Sequence, residues 1–227
     1  MSMQVVAIRE TPVRNGKISF PSAPPASITG LSDMMGAALS FARNEEVYGE
    51  GEPAEYLYTV KSGCVRTYKI LNDGRRQIGA FYLPGDVFGL EAGGEHSFSA
   101  EAIVSSTVRV IKRAALFSRA SGDSRLASQL LGLTAGELQR SQSHSLLLIK
   151  SAQERVAGFI LEMSQREHSR GEIELPMSRQ DIADYLGLTI ETVSRTLTHL
   201  ENASAIALPS SRRIVLRNRG ALDRLNA

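Results

Sequence analysis

Four polar residues near the C-terminus have the types and spacing of a surface that reads bases. Glu191, Ser194, Arg195 and Thr198 recur at i, i+3, i+4 and i+7, so on a helix they share one face. An arginine donates two hydrogen bonds to guanine O6 and N7. A glutamate accepts from cytosine N4, and a serine bonds either way. Each residue alone has an ordinary explanation: a first-turn carboxylate stabilises the helix dipole, and an arginine is often just a solvated charge. Their joint placement on one face points to base reading by Glu191, Ser194 and Arg195.

The surrounding residues supply the elements that would hold this face. Ser178, with Asp181 three residues on, caps a first helix whose apolar face is Ile182, Tyr185 and Leu186. Gly187 permits the tight turn that ends it. Thr189 caps a second helix, Ile190 to about Glu201, in which Ile190, Val193, Leu197 and Leu200 form a buried stripe. Helix, glycine turn and polar second helix make a helix-turn-helix, whose second helix enters the major groove. Two short β runs follow, Ala205 to Leu208 and Ile214 to Arg217. They form a wing with Arg212 and Arg213 at its tip, placed to meet phosphate. Ser178, Arg179, Thr189, Thr192 and Thr198 are the other expected phosphate contacts. From Pro176 onward there are seven basic and five acidic residues, so geometry rather than bulk charge carries the expectation.

Composition bounds the rest. The chain has 227 residues, 42% hydrophobic and 22% charged, ordinary globular usage that excludes disordered and collagen-like classes. Net charge is only +2, which neither demands nor forbids nucleic acid. No apolar run approaches the ~18 residues of a membrane span. The start carries Arg9, Glu10, Arg14 and Lys17, which does not read as a secretory signal, so a cytoplasmic location is expected. The single cysteine, Cys64, excludes an intramolecular disulfide framework; as a residue of a strand-like run it is expected to be a small buried hydrophobe.

Upstream, residues 1–29 read as a proline-rich lead-in, and a short helix is expected around Met34 to Phe41. From Arg43 to Arg113 short β-rich runs alternate with glycine-centred turns, among them the hairpin signal Asp73-Gly74, so a small β-roll, sandwich or barrel is expected. From Leu116 to Arg166 proline is absent and the period is helical. Leu138, Ser145, Leu148, Ala152, Val156, Phe159 and Met163 recur at helical spacing. So long a stripe needs a partner, and the same helix of a second chain is the expected one, making these residues a homodimer interface. A polar hinge follows at Gln165 to Glu172. The expected units are a lead-in (1–29), a β-roll (30–133), a dimerisation helix (134–166) and a winged helix-turn-helix (167–227).

The run from Gln180 through Gly187 and Thr189 to Arg195, with the glycine-rich β segment and the long helix before it, resembles the CRP/FNR superfamily of bacterial transcription regulators over about residues 30–220. The resemblance implies an α+β fold: a cyclic-nucleotide-binding-like β-roll, a long dimerisation helix and a C-terminal winged helix-turn-helix. Glu191-x-x-Ser194-Arg195 looks like the FNR and FixK reading pattern, which implies a TTGA…TCAA palindrome in double-stranded DNA. Cyclic-nucleotide binders of the superfamily carry a glutamate where Leu90 stands and an arginine where Phe98 stands. A phenyl ring cannot neutralise a phosphate, so cyclic AMP is not expected. Glu91 and Arg109 nearby are expected to do ordinary surface or loop chemistry. Iron–sulfur clusters typically need four cysteines, and the chain has one. The FixK-type subgroup is what remains. It implies an activator of low-oxygen genes — microaerobic respiration, nitrogen fixation or denitrification — with RNA polymerase as a partner, no cofactor and no metal.

No enzyme motif survives inspection, and no catalytic residue is assigned. Gly49-Glu50-Gly51-Glu52-Pro53-Ala54 matches a dinucleotide fingerprint formally, but Pro53 and a β-rich run follow where a helix is needed. His96, His144, His168 and His199 have no metal-like spacing. The residues leave a second class of function open: a sensor whose β-roll holds an unidentified small molecule or haem and switches DNA binding.

Overall fold

The computed structural model describes residues 36–167 and 171–226, and the lead-in 1–29 lies outside them. The first unit has eight strands: β1 (Ala37–Phe41), β2 (Glu46–Tyr48), β3 (Tyr56–Ser62), β4 (Val65–Ile70), β5 (Arg76–Tyr82), β6 (Val87–Phe88), β7 (Ser99–Ala102) and β8 (Ser106–Lys112). They form two antiparallel four-stranded sheets, ordered β1-β8-β3-β6 and β2-β7-β4-β5. Tyr58, Val60, Val65, Tyr82, Phe88 and Val108 fill the space between them. The hairpin at Asp73-Gly74 joins β4 to β5, with Gly74 at φ +82°, where a Cβ would be strained.

Met34 to Phe41 is not helical where it is described. Ala37–Phe41 is β1, paired with Val110 to Ser106 of β8. Its alanines favour helix locally, but β8 otherwise presents an unpaired edge, and the ladder across sixty-odd residues of chain overrides local preference.

Three helices follow: α1 (Arg113–Ala120), α2 (Ser124–Leu148) and α3 (Ala152–Arg166). Asp123 caps α2 by accepting from the amides of Arg125 and Leu126, both at 3.0 Å. Leu116, Leu126 and Leu130 pack with Leu57 and Ile111 beneath the roll. The expected single helix over 134–166 is two helices. Ile149 closes α2 and Ser151 opens α3 with a capping box, in which the Glu154 carboxylate accepts from the Ser151 amide at 2.8 Å. The signal is legible as Ser151-x-x-Glu154.

The C-terminal elements are β9 (Glu172–Glu174), α4 (Arg179–Leu186), α5 (Ile190–Asn202), β10 (Ile206–Ala207), β11 (Arg213–Leu216) and α6 (Arg219–Asn226). They close around α3. Val156, Phe159 and Met163 are each 1% exposed and share a core with Ile182, Leu186, Val193 and Leu200. Their expected place in a homodimer interface is therefore corrected: the chain's own helices cover that part of the stripe. Leu148 and Ala152 are half-buried, and only Leu138 and Ser145 of the seven are exposed.

Candidate nucleic-acid interface

Local capping builds the helix-turn-helix as expected. The Ser178 hydroxyl accepts from the Asp181 amide at 3.1 Å, and the Asp181 carboxylate accepts from the Ser178 amide at 2.9 Å. Gly187 ends α4 in the left-handed region, φ +61°. The Thr189 hydroxyl accepts from the Thr192 amide at 3.2 Å and starts α5. Val193, Leu197 and Leu200 are buried, whereas Ile190, expected with them, is 37% exposed.

The opposite side of α5 is open. Glu191, Arg195 and Thr198 are exposed and Ser194 is half-buried. Ser194, Arg195 and Thr198 line a shallow depression with His199 and Asn202. Glu191's own backbone amide and then the Thr189 hydroxyl hold its carboxyl below the usual range, with a smaller contribution from Arg195. The Thr198 hydroxyl is turned back to the Ser194 carbonyl at 3.1 Å.

The expected phosphate contacts divide. Arg179 reaches from the start of α4 to the Ser194 hydroxyl, with Nη1 donating at 3.3 Å, so it braces α5 against α4. The Ser178 hydroxyl is occupied within the cap of α4, donating to Asp181 Oδ2 at 2.7 Å. In the wing, β10, β11 and β9 form a three-stranded sheet. Arg212 and Arg213 do not behave alike: Arg213 is ion-paired to Glu172, with Nε at 2.6 Å, because β9 sets Glu174 opposite Arg213 and Glu172 diagonally across on the same face. The pairing strand β9 was not among the expected strands, so this bridge was invisible in the sequence.

α2 carries a second exposed surface. Leu131, Leu138 and Ile149 are 70%, 58% and 81% exposed. With Ala135, Gln142 and Ser145 they recur at alternating steps of four and three, a heptad seam. Leu131 and Ile149 were missed in the sequence because the stripe was followed through Leu148 into α3 rather than around α2.

Inside the roll, aromatic rings pack on one another. Tyr58 and Tyr82 stack on Phe88 at 5.0 and 4.9 Å, and Tyr48 stacks on His96 at 3.5 Å. Phe98 lies against Gly79, where an added Cβ would stand 3.1 Å from its ring. Glu91, in the loop after β6, is half-buried and pairs with the buried His96, Oε1 to Nδ1, at 3.1 Å. Cys64 is fully buried, and desolvation pushes its thiol up to about 12.

No helix among the described residues is long and apolar enough to cross a membrane. Residues 38–121 match the family of cyclic nucleotide-binding domains, and residues 154–225 match that of Crp-like helix-turn-helix domains. The chain is 49% identical over 225 residues to the nitrogen fixation regulation protein FixK of Azorhizobium caulinodans, covering 96% of this chain and 90% of that protein. It is 42% identical over 210 residues to the protein of that name from Rhizobium meliloti, covering 89% and 96%. Among solved structures, FixK2 from Bradyrhizobium japonicum superposes with a TM-score of 0.82 at 53% identity, covering 85% of this chain and 98% of that one.

Proposed function

The chain belongs to the CRP/FNR superfamily of DNA-binding transcription regulators, in its FixK-type branch, and on that premise we propose that it is a homodimeric activator of low-oxygen genes reading a TTGA…TCAA palindrome. The carrying observation is the exposed Glu191–Ser194–Arg195 face on a doubly capped helix pair, braced by Arg179. Arg195 takes the guanine of TTGA, and Glu191 accepts from a base of the opposite strand. Arg212 at the wing tip and the helix-start hydroxyls of Thr189 and Thr192 meet phosphate and set register. Two copies joined along Leu131, Leu138 and Ile149 would present two reading helices to half-sites about one helical turn apart. The names of the relatives support nitrogen-fixation genes among the targets, with RNA polymerase as the partner of an activator.

Leu90 and Phe98 argue for DNA binding without cyclic AMP, since Leu90 cannot accept a hydrogen bond from a ribose hydroxyl and Phe98 brings no charge to a cyclic phosphate. A second reading, an effector seated in the roll, draws on three buried polar atoms with no partner among the described residues: Tyr48 Oη, His96 Nε2 and Glu91 Oε2. Selection of bound sequences from random DNA by the ligand-free protein tests the proposal. Recovery of the palindrome is the expected result. Failure to bind any sequence until a small molecule is added would replace it with the effector reading.

A further inference from the structure

We infer that the ion pairs joining β4 and β5 to α4 set the angle at which the reading helix is presented, making Arg66 and Arg76 positioning residues for half-site spacing. The inference rests on the DNA reading above and extends it from which bases are read to how far apart the two readings fall.

Asp181 is the centre. It is 4% exposed, and its two oxygens do different jobs. Oδ2 closes the cap of α4 on Ser178. Oδ1 accepts from Arg66 Nη1 and from Arg76 Nη2, each at 2.7 Å. The other arm of Arg66 reaches Glu101 on β7 at 3.0 Å. Arg76 also holds Asp184, one turn further along α4, through Nε at 2.8 Å. Two arginines of one sheet thereby grip two carboxylates of one short helix.

The apolar part of the same junction is Phe81 on β5, whose ring lies 5.1 Å from Tyr185 and 6.3 Å from Phe159. Such contact holds the units together but has little directional preference. Guanidinium–carboxylate bonds are directional, because the donors sit in a rigid planar fork. Buried ion pairs are poor guarantees of stability, and their best-attested use is to select one arrangement among several. The connection behind them is short, the break between α2 and α3 at Ile149 and Lys150. Only Gly187, Leu188 and Thr189 separate α4 from α5, and Arg179 ties the two, so the angle of α4 is the angle of the reading helix. The reading face stays exposed with the ion pairs formed, so they orient that face without hiding it.

Inserting one base pair between half-sites turns one of them by about 35° and moves it by about 3.4 Å. A rigid pair of reading heads resists this; a loosened pair follows it. Wild-type protein is expected to lose at least tenfold in affinity on that insertion. Arg76→Gln is expected to lose threefold or less, with binding to a duplex holding one half-site within twofold of wild type. Arg76→Lys, which keeps a cation beside Asp181 and Asp184, is expected to retain more of the discrimination than Arg76→Gln. A DNA-free readout runs beside it: donor and acceptor dyes on Asn72→Cys and Ser210→Cys, in one chain diluted among unlabelled ones. Buried Cys64 does not compete for dye. Arg76→Gln should widen the transfer distribution. An unwidened distribution, an unchanged spacing preference, or equal loss on palindrome and single half-site would each overturn the positioning role. Wild-type protein indifferent to the palindrome would instead sink the DNA reading itself.

Discussion

Arg195→Ala separates reading from positioning, and the structure fixes what it should do. Arg195 is exposed and forms no ion pair or hydrogen bond among the described residues, so its removal should leave the fold within about 0.5 kcal/mol of wild type. The whole effect then appears in DNA binding. A bidentate contact to guanine discriminates by ~1–3 kcal/mol, and a symmetric site uses it twice, which gives ~2–6 kcal/mol. At ~1.4 kcal/mol per decade that is a loss from about 30-fold to about 10⁴-fold on the palindrome. On random DNA the same substitution should cost a few-fold, and base preference should flatten at the guanine position alone. Arg212→Ala should weaken cognate and random duplexes alike and lower the salt slope by about one per lost phosphate contact. Arg213→Ala should do less than Arg212→Ala, because Glu172 already holds that guanidinium. The assay is fluorescence anisotropy with cognate, guanine-substituted and random duplexes across a salt series. An equal drop for Arg195→Ala on all three would make Arg195 a phosphate anchor and refute the assignment of the reading face.

Leu138→Glu places two carboxylates against each other in an α2–α2 seam. Sedimentation at micromolar concentration should shift from a dimer to the 24.6 kDa chain, whereas a retained dimer would move the interface elsewhere. Phe159→Ala should instead cost about 3–5 kcal/mol of folding stability, read in urea melts, since its ring is in the chain's own core. His144, on α2, stacks on Tyr185 and donates to its carbonyl at 2.8 Å. Desolvation lowers its pKa, opposed by the Tyr185 carbonyl and by Glu162. The native state therefore takes up this proton less readily than the unfolded chain, at about 6.5. The His144 contribution should be complete above that pH and fall away as pH drops through the lowered native value. Melting temperature measured from pH 7.5 to 5.5 should carry a slope that His144→Gln reduces; an unchanged slope would assign it to other groups. Cys64 should stay unmodified by a maleimide in the native protein and react on unfolding, and fast native labelling would contradict its burial.

Much of the helix-turn-helix was written locally. Ser178 with Asp181, Gly187 and Thr189 act within one turn of themselves, so capping chemistry alone marks where α4 stops and α5 starts. Asp73-Gly74 fixed a hairpin for the same reason. The face of α5 holding Glu191, Ser194 and Arg195 follows from helical period, and so does the buried stripe of Val193, Leu197 and Leu200. The Ser151-x-x-Glu154 box is equally local and divides the long helical stretch even though the apolar period continues across it.

What the chain could not state in one dimension was the partner of each face. An apolar period says that Val156, Phe159 and Met163 are covered, but not whether by a second chain or by α4, α5 and α6; packing decided for the latter. Ala37–Phe41 became a strand because β8 offered an edge from far along the sequence. Asp181 looked like a cap residue and is also the acceptor for Arg66 and Arg76, 115 and 105 positions away. Arg213 looked like a free phosphate contact until β9 brought Glu172 beside it. Caps and periods depend on the few residues around them, whereas ion pairs and covered faces depend on which distant elements the fold brings within a few ångströms, and only the tertiary structure decides that.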